Sequence, residues 1–207
     1  MKNDFENKLK TRQFRDMKPL ETRNEEENSY IVEGYRMKYE PYVFYEDGEG
    51  KVYEEFKREA FNKADVSDVI FLYDHQGKVL ARNSNNTLKI TFDDIGMYIE
   101  ADLSTSKASR EMYEEIKSGL VNKMSWSFNP GIRGRNYDFN EETRTLVYEN
   151  IPKIYDVSAV GIPANNDTNI NARNFVDGVI DEVRTERFKE QRQKDLLKLQ
   201  IELLKEK

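Results

Sequence analysis

The sequence predicts an α+β chain, mainly β, with an antiparallel barrel-like core, a few helices and a charged helical C-terminal tail. Three observations predict it. Short runs rich in β-branched and aromatic residues recur from Ser29 onward. Glycine-bearing turns separate several of these runs at hairpin spacing. Past about Val176 the chain becomes densely charged, with apolar residues at helical spacing.

At 207 residues the chain can hold one medium domain with tails. The reading divides it into a charged N-terminal arm (1–28), a folded domain (29–172) and an amphipathic helical tail (173–207). Charged residues make up 35% and hydrophobic ones only 37%, so part of the chain is expected outside the core. A net charge of −6 argues against general nucleic-acid binding, which needs excess Lys and Arg. No apolar run is long enough for a membrane span. The N-terminus lacks the apolar centre of a signal peptide. With no cysteine and one histidine, disulfides, thiol catalysis and a Cys/His zinc site are excluded. No cofactor is expected.

The elements follow in order. Residues 1–28 are dominated by charge and read as a flexible or weakly helical arm. Tyr42-Val43-Phe44-Tyr45 and Lys51-Val52-Tyr53-Glu54-Glu55-Phe56 flank Gly48-Glu49-Gly50 and form a hairpin. An aliphatic strand runs to Asp74-His75. Leu88–Phe92 and Met97–Leu103 pair across a turn at 93–96. Ala108, Met112, Ile116 and Leu120 recur at i, i+4 and predict a helix over 106–117, with Gly119 as its cap. Strands resume at Lys123–Phe128. Tyr137–Phe139 and Thr143–Tyr148 make a further hairpin. A last strand covers Ile154–Ile162, ended by Pro163. Beyond it, Val176, Val179, Ile180 and Val183 form one helical stripe. Leu196, Leu199 and Leu203 form a second, with Leu197 and Leu204 beside it. The aromatic stripes at 42–45 and 53–56 are expected in the core, and the C-terminal stripe is read as an interaction surface.

Three places could carry chemistry. His75 is the only imidazole in the chain. Ser125 and Ser127 share one face of a strand, with Trp126 opposite. Asp156 lies within an apolar strand, where a buried carboxylate needs a partner, and a histidine N–H would serve. Asp74 reads as a turn or salt-bridge acid. Arg133-Gly134-Arg135 reads as a solvated loop.

Taken together, these pieces resemble the prohead proteases of HK97-type tailed phages, a family related in fold to the herpesvirus assembly proteases. The resemblance covers about residues 30–172. It rests on Ile31-Val32-Glu33-Gly34-Tyr35, Glu54-Glu55-Phe56 and Ala60-Phe61, then Asp74-His75 followed by Val79-Leu80-Ala81-Arg82. It continues through Asp94–Ile99, Gly119–Phe128 and Asp156-Val157-Ser158-Ala159-Val160-Gly161-Ile162-Pro163-Ala164-Asn165. The resemblance implies a serine endopeptidase with Ser125 as nucleophile, His75 as base and Asp156 as the third member. Ser127 is the alternative nucleophile, and Arg133 and Arg135 are the implied candidates for substrate or oxyanion support. The herpesvirus enzymes use a second histidine in place of the acid, and this chain has none. The implied substrates are the major capsid protein or scaffold, and the protease itself. The implied place of action is the host cytoplasm, inside the assembling prohead. Self-association through the C-terminal helix is a further expectation. A non-catalytic scaffolding protein and an unrelated sheet-rich binding module are the rival readings.

Overall fold

Alternation along one strand decides the architecture. In β10 (Lys123–Asn129), Met124, Trp126 and Phe128 enter the core, while Ser125 and Ser127 face the other side. Trp126 stacks on Phe128, their centroids 4.4 Å apart, and Phe56 stacks on Tyr148 at 4.6 Å. A one-residue slip would drive both serines into this aromatic cluster and expel Trp126. Each fully buried apolar side chain contributes about 1.5–3 kcal/mol, so the register is held strongly.

The computed structural model describes residues 12–17, 21–23, 29–161 and 166–205. Expectations for 1–11, 18–20, 24–28 and 162–165, including Pro163, lie outside the described residues. Three sheets form. In the first, β10 pairs with β1 (Gln13–Met17) and β13 (Lys153–Val160), and the sheet continues through β6 (Ile70–Tyr73) to β7 (Gln76–Arg82). The second runs β11 (Tyr137–Asn140), β12 (Thr145–Tyr148), β5 (Gly50–Phe56), β4 (Tyr42–Asp47). The third runs β2 (Glu21–Arg23), β3 (Ile31–Lys38), β9 (Gly96–Asp102), β8 (Leu88–Phe92). The protein is mostly β, with a helix α1 (Lys107–Lys117) and a C-terminal helix α2 (Asn166–Lys205).

The expected hairpins form as β4–β5, β8–β9 and β11–β12. The α1 helix starts on Ser106, whose hydroxyl accepts from Ser109 N–H at 3.0 Å. It ends at Gly119, whose φ of +79° suits a C-terminal cap. The expectation of an antiparallel barrel is corrected. The sheets are not closed into a barrel, and two pairings are parallel: β12 with β5, and β13 with β6. Turn residues mark only neighbours in sequence, so these two long-range pairings leave no local signal.

The charged arm is corrected too. Gln13–Met17 is an edge strand antiparallel to β10, with Phe14 opposite Ser127 and Arg15 opposite Trp126. Arg15 therefore points to the core side. Its guanidinium is buried and donates to Glu54, with Nε 2.6 Å from Oε2, and to the Tyr148 hydroxyl at 3.1 Å. The Tyr42 hydroxyl also donates to Glu54. Burial alone would lower the Arg15 pKa, but Glu54 reverses this and raises it. Glu54 and the charge of Arg15 thus enter the core as a pair, which a reading of net charge cannot anticipate.

The first turns of the tail also join the core. Ala172, Val176, Val179 and Ile180 are buried, although the density of charge around them reads as solvated. Their charged neighbours point outward to partners: Arg133 holds Glu182 and Glu186, Arg184 holds Glu49, and Arg187 holds Glu141. Leu196, Leu199 and Leu203 remain exposed.

Removing one partner of the buried Arg15–Glu54 pair is expected to cost about 3–5 kcal/mol. Urea denaturation of Glu54→Leu and Arg15→Met checks this, and the double variant should recover much of the loss. Single variants as stable as wild type would contradict it.

Candidate active site

The β6–β7 hairpin turns on two residues. Tyr73 pairs with Gln76, leaving Asp74 and His75 between them. Both are left-handed, with φ of 46° and 58°. Two such residues make the turn type that suits a tight hairpin, normally with Asn or Gly. Holding a bulkier side chain there costs about 1–3 kcal/mol and needs support from outside the turn. Asp74 N–H donates to Ala159 O at 2.9 Å, and Gly161 N–H to Asp74 Oδ1 at 3.4 Å. Asp74 is thus the turn acid that the sequence predicts. His75 stands on the turn itself, just past the strand end where its sequence placed it.

The turn delivers the imidazole to Asp156. Nδ1 of His75 lies 2.5 Å from Asp156 Oδ1. Asp156 is fully buried on β13, so its charge must be met by hydrogen bonds or opposite charge. Sheet register brings the other partners. Ser127 is the cross-strand neighbour of Asp156, and Ser125 that of Ser158. Directly opposed residues share a face. The ladder shifts by a bulge beside Ser127, a device that re-aims side chains next to functional sites.

Each oxygen of Asp156 is occupied. Oδ1 also accepts from the Ser158 hydroxyl at 2.8 Å. Oδ2 accepts from the Ser127 hydroxyl and pairs with the Arg12 guanidinium. Arg12 in turn donates to Ser127 Oγ, at 2.9 Å from Nε and 2.7 Å from Nη2. The Phe14 ring meets the imidazole edge-on, centroids 4.7 Å apart.

Burial, followed by the positive charge of Arg12, pushes the His75 pKa down to about 4. The ring is therefore neutral at neutral pH and free to accept a proton. Its Nε2 is buried and has no hydrogen-bond partner among the described residues.

The structure thus joins two of the three predicted residues directly, His75 and Asp156. Ser125 lies on the same face, opposite Ser158, and is buried. No hydrogen bond connects its hydroxyl to His75 among the described residues. Ser127 contacts the acid rather than the base. Arg133 is removed from the candidates for substrate or oxyanion support, because Asp138, Glu182 and Glu186 occupy its guanidinium. Arg135 is exposed beside it on the same loop. Arg12 and Phe14 escaped the sequence reading because they sit in the supposed arm. The signal that could have found them is the alternation Arg12-Phe14 against Gln13-Arg15, a two-faced strand.

An imidazole held through Nδ1 by a buried carboxylate, beside strand hydroxyls, is the grouping that serine hydrolases employ. Residues 18–180 match the family model of the caudovirus prohead serine protease. The match spans most of the chain, and the protein belongs to this family of serine proteases of phage capsid maturation. Such proteases act within the assembling capsid. No curated protein and no solved structure matches the chain. Among the described residues no helix is long and apolar enough to cross a membrane.

The lowered His75 pKa has a consequence for stability. Unfolded, the ring titrates near about 6.5; folded, at about 4. Between those values the unfolded chain binds more protons. The contribution of His75 is therefore fully present above about pH 6.5 and is lost as pH falls through the folded value. Denaturation of wild type and His75→Gln at stepped pH reads the difference. Wild type should lose its advantage across that window, whereas a constant gap would contradict the assignment.

Proposed function

We propose that Ser125, His75 and Asp156 form the triad of a serine endopeptidase that cleaves scaffold, or the scaffold-like arm of the major capsid protein, and itself, inside the assembling prohead. One observation carries this reading: Asp156 holds Nδ1 of the only histidine, and Nε2 has no partner among the described residues. That is the tautomer a general base needs. Nε2 takes the Ser125 proton as Oγ attacks the scissile carbonyl, then delivers it to the leaving amine. Asp156 orients the ring and stabilises the imidazolium. The bond between Oγ and Nε2 forms as substrate closes the site, since such bonds tighten in the bound state. With one histidine in the chain, the third member is an acid rather than the second histidine of herpesvirus-type enzymes.

Register favours Ser125 over Ser127. The β13–β6 ladder runs from Asp156 opposite Ile70 to Ala159 opposite Tyr73, toward the turn that bears His75. Ser125, opposite Ser158, stands nearer that end than Ser127, opposite Asp156. The Ser127 hydroxyl already donates to Asp156 and accepts from Arg12, so it engages the acid rather than the base.

Cleavage of purified capsid and scaffold proteins tests the assignment. Ser125→Ala and His75→Ala should each lose at least about 10⁴-fold in rate, and Asp156→Asn about 10⁴-fold. Ser127→Ala should lose at most about tenfold. Loss confined to Ser127→Ala would reassign the nucleophile. Wild-type turnover in both Ser125→Ala and His75→Ala would end the catalytic reading and leave the scaffolding one.

The exposed stripe of Leu196, Leu199 and Leu203 supports a second role for α2, in self-association or in engaging capsid or scaffold. Truncation after Lys189 should keep peptidase activity and lose incorporation into heads. Truncation after Phe175 also removes Val176, Val179 and Ile180, at about 1.5–3 kcal/mol each, and should lower Tm sharply. Normal incorporation of the shorter truncation would contradict the role.

A further inference from the structure

The edge strand β1 presents two faces. Its inner face carries Arg15, locked to Glu54 in the core. Its outer face carries Phe14, which abuts the His75 ring. Arg12, one residue before the strand, pairs with Asp156 and donates to Ser127. The guanidinium of Arg12 also lies over the Tyr155 ring, 4.9 Å from its centroid. A long, flexible cation is thereby fixed at one point. Only a quarter of its side chain is exposed, 24% against none for Asp156.

We propose that Arg12 and Phe14 are positioning residues of the reaction: Arg12 ties down the outer oxygen of Asp156, and Phe14 walls the imidazole, so that β1 completes the catalytic pair. This rests on the triad reading above. The physical argument has two parts. Asp156 must point Oδ1 at Nδ1 throughout turnover. Its other oxygen is held by Arg12 directly and through Ser127, which fixes rotation of the carboxylate. A fixed orienting acid is what keeps the base in its productive tautomer. Phe14, for its part, packs against the imidazole at the point where the strained turn leaves it, and limits the ring's swing.

Charge adds a second consequence. An unpaired carboxylate beside an imidazole favours the imidazolium. Arg12 cancels the charge of Asp156 in the resting enzyme. The charged groups facing the ring are Asp156 from β13 and Arg12 from the N-terminal segment, with Asp74 adjacent in the turn. Removing Arg12 leaves the carboxylates in command, so the ring should take up its proton at higher pH.

The single histidine makes this measurable without a substrate, because one imidazole gives one set of NMR signals. Full-length wild type, Arg12→Gln, Arg12→Lys and Phe14→Leu are titrated and assayed on capsid and scaffold proteins. In Arg12→Gln the imidazole midpoint should rise from about 4 toward the ordinary histidine value, with burial of the ring still holding it below that value. The acid limb of kcat/KM should move with it. Its kcat should fall by about tenfold or more, with KM little changed. Arg12→Lys should restore the midpoint but only part of kcat, because an ammonium lacks the planar fork that reaches both Asp156 and Ser127. Phe14→Leu should lower kcat with KM unchanged.

Wild-type midpoint and kcat in a folded Arg12→Gln protein would overturn the role of Arg12, and wild-type kcat in Phe14→Leu that of Phe14. Should Arg12→Gln fail to fold, Arg12→Lys decides: full wild-type kcat there overturns the role. These failures are separable from failure of the triad. If Ser125→Ala and His75→Ala abolish cleavage while the β1 variants do not, only this proposal falls.

Discussion

A carboxylate with no access to solvent organises this protein. Asp156 sits in an apolar strand of the five-stranded sheet, where an uncompensated charge would cost several kcal/mol. Its compensation comes from separate parts of the chain: the turn at His75, Ser127 on β10, Ser158 on its own strand, and Arg12 at the N-terminal edge. Apart from Ser158, none of these groups is near Asp156 in sequence. Satisfying one buried charge therefore fixes the register of three strands and the conformation of a strained turn. The same satisfaction leaves a neutral imidazole with one nitrogen spoken for and the other available.

A second buried charge works on the opposite face of the sheet. Arg15 and Glu54 join β1 to the sheet that carries β5, across the aromatic cluster of Trp126, Phe128 and Tyr148. Such a pair does little for net stability compared with apolar packing. Its effect is positional, because it pins the edge strand whose other face meets His75. An ion pair on β1 and another from the residue just before it thus link the core to the site.

Much of this was legible in the sequence, and the reasons differ by element. The hairpins at 42–56 and 88–102 were readable because turn residues and alternation are local signals. The α1 helix was readable from its spacing and its caps. His75 and Asp156 were readable as partners, since a buried acid needs one and the chain holds a single imidazole. The parallel pairings of β5 with β12 and β6 with β13 were not, because nothing in either strand names its distant neighbour. Nor was β1: the run from Arg12 to Met17 has the composition of a solvated arm, and only its partners Glu54 and Asp156 turn those charges inward. The stripe of Val176, Val179 and Ile180 was legible too, but the charges around it hid that it packs into the core. The second serine on β10 could be placed by alternation but not ranked, and the preference for Ser125 proposed above rests on its register against β13.

The central claim is that Asp156 holds the proton of His75 on Nδ1 and leaves Nε2 bare as the base. The ¹⁵N chemical shifts of the single imidazole at neutral pH report this directly. The account predicts a neutral ring with a protonated Nδ1 and an unprotonated Nε2, and loss of that preference in Asp156→Asn. A proton resident on Nε2 in the wild-type enzyme, or a doubly protonated ring at neutral pH, would contradict it.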